Sequence, residues 1–156
     1  MSARSEQTPV GSRVVVVGAG LSGLLSAILL RQAGHQVTLV TKGLGGLQLS
    51  QGTIDLFGRV DGALVDNPLD AIAEAPPGHP YRQIGVEAVR EGVAALQEIL
   101  GADVLVGDVD RNRLYPTAVG AMRPTALVPP SMANGECTDG SRFVIVGIRE
   151  LKDFHP

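Results

Sequence analysis

Four consecutive valines, Val14 to Val17, run directly into Gly18-Ala19-Gly20-Leu21-Ser22-Gly23 and on into Leu24-Leu25-Ser26-Ala27. A short β-branched apolar run reads as a parallel strand covered on both faces. The glycines at the turn answer three separate steric demands. Gly18 permits the tight strand-to-helix reversal, Gly20 lets backbone approach a pyrophosphate, and Gly23 lets the helix lie close to the sheet. The first helical N–H groups, at Leu21, Ser22 and Gly23, then face the phosphates with the helix dipole behind them.

The context on both sides supports that reading. Leu21, Leu24, Leu25, Ile28 and Leu29 recur at helical spacing, and Ala27 is small where a helix meets a sheet. Gly34 suits the left-handed position just past a helix end. His35 to Val40 then resumes a strand, so the βαβ unit spans Arg13 to Thr41, close to the ~30 residues such a unit needs. One usual part is absent. An acid about 20 residues on, at the end of the second strand, ordinarily binds the adenosine ribose, and here that place holds Thr41 and Lys42. Thr41 is a weaker ribose partner than a carboxylate, and Lys42 is either a phosphate reader or a solvated side chain. Ordinary NAD binding is disfavoured, while FAD, FMN or a degenerate site stays open.

Gly43-Leu44-Gly45-Gly46-Leu47 and Ser50-Gln51-Gly52-Thr53-Ile54-Asp55 follow. So many glycines make a poor helix and a poor strand. The stretch is either a plain connection or backbone laid against a flat ligand beyond the strand ends. In the second case Ser50, Gln51, Gly52 and Thr53 line the flavin edge; Asp55 caps the next segment or touches ligand.

Further along, Ala75-Pro76-Pro77-Gly78-His79-Pro80 reads as a linker. Val86 to Leu100 reads as an amphipathic helix with Val89, Val93, Leu96 and Leu100 on one face, stopped by Gly101. Asp103 to Val106 suggests a short strand, Leu114 onward is irregular with several prolines, and Phe143 to Ile148 suggests a buried strand. Parallel strands need crossover helices and neighbours. The expectation is therefore an α/β, Rossmann-like, three-layer FAD/NAD(P)-binding fold that is incomplete at its C-terminus: a flexible tail over residues 1–12, then residues 13–156 as the N-terminal part of a flavin or dinucleotide-binding oxidoreductase domain.

Composition narrows the function classes. A net charge of −3 gives no electrostatic footprint for nucleic acid. The single cysteine, Cys137, excludes an internal disulfide and any cysteine-only metal or iron–sulfur site, so no metal is expected. No apolar stretch reaches the ~20 residues of a membrane span. The polar start lacks a signal-peptide core, which makes a cytoplasmic address the expectation.

The ordered blocks resemble the B-type subunit of anaerobic glycerol-3-phosphate dehydrogenase, a flavoprotein family. The blocks are Val14 to Gly23; Ser50 to Leu56; His79-Pro80-Tyr81 with Gly85; Pro116 to Gly120 with Arg123 and Thr125; and Val146-Gly147-Ile148 with Asp153-Phe154. The resemblance implies a flavin, FMN or FAD. It implies oxidation of sn-glycerol 3-phosphate to dihydroxyacetone phosphate with electrons passed to quinone. It also implies two partners, a second flavoprotein subunit and an iron–sulfur subunit that contacts the membrane, which would make the protein peripheral to the inner face of the cell membrane. Alternatives are a non-catalytic electron-transfer or assembly subunit, an inactive fragment, and, less favoured, a stand-alone NAD(P)-binding domain. Oxidising a secondary alcohol needs a base and a cation for the phosphate. Arg123 is the phosphate candidate, because a guanidinium matches phosphate oxygens bidentately. The base is unassigned: His79, His155, Asp55 and Asp153 have suitable side chains, and each also has an ordinary structural role.

Overall fold

The computed structural model describes residues 11–152. They fall into two compact units, the first ending at Gln51 and the second beginning at Gly52.

The first unit is the βαβ element. β1 (Arg13–Val17) pairs in parallel with β2 (Gln36–Val40), Val14 opposite Val37 and Val16 opposite Leu39, with α1 (Leu21–Gln32) between them. Gly34 takes φ +88° beyond the end of α1, where a left-handed residue lets the chain reverse into β2. Only one face of β1 is covered. Val14 and Val16 are half-buried, and a Cβ added at Gly23 of α1 would come within 3.7 Å of Val16 Cγ1, so α1 lies on that face. Val15 and Val17 stay 63% and 81% exposed, against the expectation of cover on both faces. The reason is local: β2 is the one strand paired with β1 among the described residues. The expected three-layer parallel sheet is thus represented here by a single parallel pair.

The second unit carries its own small core. Asn67 caps α2 (Pro68–Glu74) by accepting from the Leu69 and Asp70 amides at 3.0 and 3.3 Å. A short α3 (Pro80–Ile84) leads through Gly85 into α4 (Val86–Leu100), whose bounds match the sequence reading. Val89, Val93 and Leu96 of α4 are buried as expected, whereas Leu100 at its end is exposed. They join Leu69 and Ile72 of α2 and the buried run Thr125 to Val128.

Four two-residue strands complete small antiparallel pairs: β3 (Arg59–Val60) with β4 (Ala63–Leu64), and β5 (Val106–Gly107) with β8 (Leu127–Val128). Between them, β6 (Arg113–Pro116) and β7 (Met122–Thr125) form a hairpin, Tyr115 opposite Arg123. Its turn is closed by the Thr117 hydroxyl, which donates to the Ala121 carbonyl at 2.9 Å and accepts from the Ala121 amide at 3.1 Å.

Two expected strands differ. Residues 102–104 form a turn, closed by a 3.2 Å bond from the Val104 amide to the Gly101 carbonyl, so the strand starts only at Val106. Phe143 to Ile148 is irregular and exposed rather than a buried strand. Hydrophobic sequence alone does not make a strand; the backbone needs a ladder partner, and none of the described strands pairs with this segment. No helix among the described residues is long and apolar enough to cross a membrane.

Candidate flavin-nucleotide site and a polar–aromatic cluster

The glycine turn has the form expected of an anion site. Gly18, at φ +106°, closes the turn with its amide on the Val40 carbonyl at 2.8 Å, which sets the ends of β1 and β2 side by side. The first helical bond runs from the Leu24 amide to the Gly20 carbonyl at 3.0 Å. The amides of Leu21, Ser22 and Gly23 are therefore the helix's orphan donors. Gly20 supplies no side-chain cap and the first turn carries no acid. A Cβ at Gly20 would meet nothing within 4 Å, whereas one at Gly23 would collide with the Gly18 carbonyl. Space above Gly20, tight packing at Gly23 and three uncapped donors fit a pyrophosphate.

Thr41 lies where the ribose acid would be, but its hydroxyl is committed locally, bonding the Gly43 carbonyl and accepting from the Gly43 amide at 3.1 Å. Lys42 is exposed. The second glycine segment is not a slack connection at its start: Gly45, at φ +67°, lies so close to the turn that an added Cβ would be 2.7 Å from the Gly20 nitrogen. It opens a 3-10 turn over Gly45–Leu49. Ser50 and Gln51 are exposed at the end of the first unit; Gly52 and Thr53 open the second, where Thr53 Oγ1 donates to Asp55 Oδ1 at 3.4 Å.

The second unit draws three distant stretches together. Arg123 on β7 donates through Nε to Asp55 Oδ2 at 2.5 Å, and its Nη2 meets the same oxygen. Nearby the rings of Phe57, His79 and Tyr81 stack, with centroids 4.8 Å apart for Phe57–His79, 5.5 Å for Phe57–Tyr81 and 5.8 Å for His79–Tyr81. His79 caps α3, its Nδ1 accepting from the Tyr81 amide at 3.2 Å, so a neutral ring carries its proton on Nε2. Burial, and secondarily the negative charge of Asp55, push the Tyr81 phenol above its ordinary value of 10.0. The phenol thus stays protonated, and a donor, throughout the neutral range.

Of the base candidates, Asp55 is paired and His79 is a cap, while Asp153 and His155 lie outside the described residues. Sequence reasoning missed Phe57, which no spacing marked, and Asn112. The buried Asn112 amide donates to the Val65 carbonyl at 3.0 Å and the Phe57 carbonyl at 3.4 Å, tying down the backbone that carries the stack. A cavity of about 760 Å³ lies elsewhere in this unit, between the hairpin tip near Thr117 and the segment Phe143 to Val146, with Cys137 in its wall. Asp55, His79, Tyr81 and Arg123 are not among its lining residues.

The family of FAD binding domains matches residues 13–156. The chain belongs to that family. Its cofactor is a flavin, FAD, whose pyrophosphate is the group the glycine turn suits. The chain is also 37% identical over 150 residues to a probable B-type subunit of anaerobic glycerol-3-phosphate dehydrogenase from Halobacterium salinarum, covering 94% of this chain and 34% of that protein. It is 35% identical over 156 residues to the B-type subunit of the same enzyme from Actinobacillus succinogenes, covering 92% and 35%. The corresponding subunit from Yersinia pestis is likewise 35% identical, with 92% and 36% covered. The chain thus spans about a third of the length of these curated relatives. No solved structure matches it.

Proposed function

We propose that the chain is part of the B-type subunit of a flavin-dependent sn-glycerol 3-phosphate dehydrogenase, with residues 13–156 forming the N-terminal part of its flavin domain. The observation that carries this is the uncapped glycine turn of the FAD-binding family, in a chain whose curated relatives bear that subunit's name. Bound flavin supplies the two-electron acceptor for oxidation of the secondary alcohol to dihydroxyacetone phosphate. The chain's own part is to hold and orient. The Leu21, Ser22 and Gly23 amides take the pyrophosphate. Thr41, Lys42 and the stretch Ser50 to Thr53 border the rest of the nucleotide. Arg123 takes the substrate phosphate, and the Phe57–His79–Tyr81 stack supplies a flat wall with a phenol donor.

Electrons pass to quinone through partners, a second flavoprotein subunit and an iron–sulfur subunit at the membrane, with this chain on the cytoplasmic side. A second reading, a flavin-binding electron-transfer or assembly subunit without substrate chemistry, is favoured by one observation: Arg123 already holds a carboxylate. The test is the absorbance spectrum of the purified chain, with released cofactor identified by mass, followed by anaerobic addition of sn-glycerol 3-phosphate. Bleaching supports the dehydrogenase. A stable flavin spectrum that the substrate leaves unchanged supports the second reading. A chain that neither carries nor takes up flavin defeats both for the chain on its own.

A further inference from the structure

We propose that Asp55 is a resident counter-ion of Arg123 that a phosphomonoester displaces, so that the ion pair gates the phosphate site by anion exchange. This rests on the reading of Arg123 given above and adds to it a regulation of the same site.

The geometry of the pair is the first argument. Arg123 presents the side of its guanidinium formed by Nε and Nη2, the side that takes two oxygens of one anion. Asp55 answers with a single oxygen, Oδ2, while Oδ1 faces the Thr53 hydroxyl. A phosphate offers two oxygens to the same edge and matches it better than this carboxylate does.

Exposure is the second argument. The Asp55 and Arg123 side chains are 29% and 43% exposed, so the pair, though part-buried, can be reached by a small anion from solvent.

The third is that other bonds also hold the stretch that carries Asp55, pinning it on both sides. The Ile54 amide donates to the Leu127 carbonyl at 2.9 Å, and the Ile54 carbonyl accepts from the Ala126 and Leu127 amides at 3.1 Å. Farther on, Arg59 reaches the Met122 carbonyl at 3.3 Å. Opening the pair leaves these bonds intact.

The Tyr81 phenol, stacked with Phe57 and His79, feels the Asp55 charge.

The experiment is calorimetric titration of the full chain with inorganic phosphate, sn-glycerol 3-phosphate and glycerol, on the unaltered protein and on Asp55→Asn and Arg123→Gln. Flavin content and thermal melting are recorded on the same samples. Removing the competing carboxylate should tighten phosphate binding roughly five- to tenfold with little change in melting temperature. Arg123→Gln should abolish saturable binding of both phosphates, and glycerol should bind to none. Tighter binding of sn-glycerol 3-phosphate than of inorganic phosphate identifies the monoester as the ligand; equal binding overturns its assignment to a monoester.

If Asp55→Asn binds phosphate no better than the unaltered chain, or Arg123→Gln still binds it, the pair is structural and the proposal falls. Should the variants fail to fold, the Arg123 Nε–H resonance of the unaltered chain decides. A saturable shift on phosphate titration supports displacement, and an unmoved resonance overturns it. Flavin content separates the two levels: a chain that holds flavin yet fails these phosphate tests loses the gate alone, and one that passes them without flavin loses the flavoprotein reading alone.

Discussion

The two units of this chain invert the usual relation between how plainly a segment reads and how well it is packed. The first carries the most explicit signal in the sequence, a strand, a glycine turn, a helix and a second parallel strand within residues 13–40. Yet Ala19 and His35 are its only buried residues among those described. The second unit offers prolines and irregular pattern, but encloses Ile72, Thr125, Leu127 and Val128 almost completely. A ligand-binding motif is written in residues that touch the ligand or shape the backbone, so it survives in sequence whether or not its flanks are covered. A small core assembled from two-residue strands leaves no such mark.

The contrast is sharpest in stability. Ile72→Ala in the second unit should cost about 2–5 kcal/mol, because it empties a fully enclosed site. Val17→Ala on the open face of β1 should stay within about 0.5 kcal/mol, as exposed substitutions do. Urea unfolding of both variants measures this directly. A Val17→Ala loss as large as that of Ile72→Ala would mean the valine face is covered in solution, and the comparison would break.

Next in size is Gly23→Ala. Its new methyl would sit against the Gly18 carbonyl, and backbone cannot yield as a side-chain tip does. A loss of about 1–3 kcal/mol is expected, the range for an overpacked site. Gly20→Ala is its counterpart. With φ −74° and open space around the added Cβ, it should fold with a loss of no more than about 1 kcal/mol, the cost of an alanine N-cap. Flavin binding should nevertheless weaken by at least about tenfold, because the methyl intrudes where the pyrophosphate approaches the backbone. Fluorescence titration with FAD, alongside a melting curve, separates the two glycines. Equal flavin affinity for Gly20→Ala and the unaltered chain would remove the pyrophosphate from this turn.

Legibility follows physical range. Local rules find β1, α1, β2 and α4, because side-chain periodicity and glycine stops act within a few residues. The hairpin β6–β7 is hidden by Pro116 and Pro124, residues that argue against a strand interior but are tolerated in a two-stranded pair with open outer edges. Phe143 to Ile148 misleads in the opposite direction: its composition suits a strand, and the missing ingredient is a partner. In the site, Gly18 to Gly23 are legible as a set. The Asp55–Arg123 pair spans 68 residues, and no periodicity reports a contact at that separation. The resemblance marks His79 and Tyr81 in one block and Arg123 in another; only the fold brings the first two against Phe57 and the third against Asp55.

The smallest expected effect concerns alkaline pH, and it divides the units cleanly because both tyrosines of the chain lie in the second. Burial and then Asp55 raise the Tyr81 phenol. Burial raises Tyr115 as well, with Arg113 opposing and Glu136 adding to it. Each folded phenol therefore keeps its proton to higher pH than the unfolded chain does. Their contribution to stability is complete below the ordinary value of 10.0 and is lost as pH rises through the higher folded values. Denaturation of the apo chain at a series of pH values spanning 10 should show that loss in the second unit. Tyr81→Phe and Tyr115→Phe should each flatten the decline, since phenylalanine has no proton to lose, while neither changes how the βαβ unit responds. A decline untouched by either substitution would assign the alkaline sensitivity to other groups and remove the buried phenols from the account.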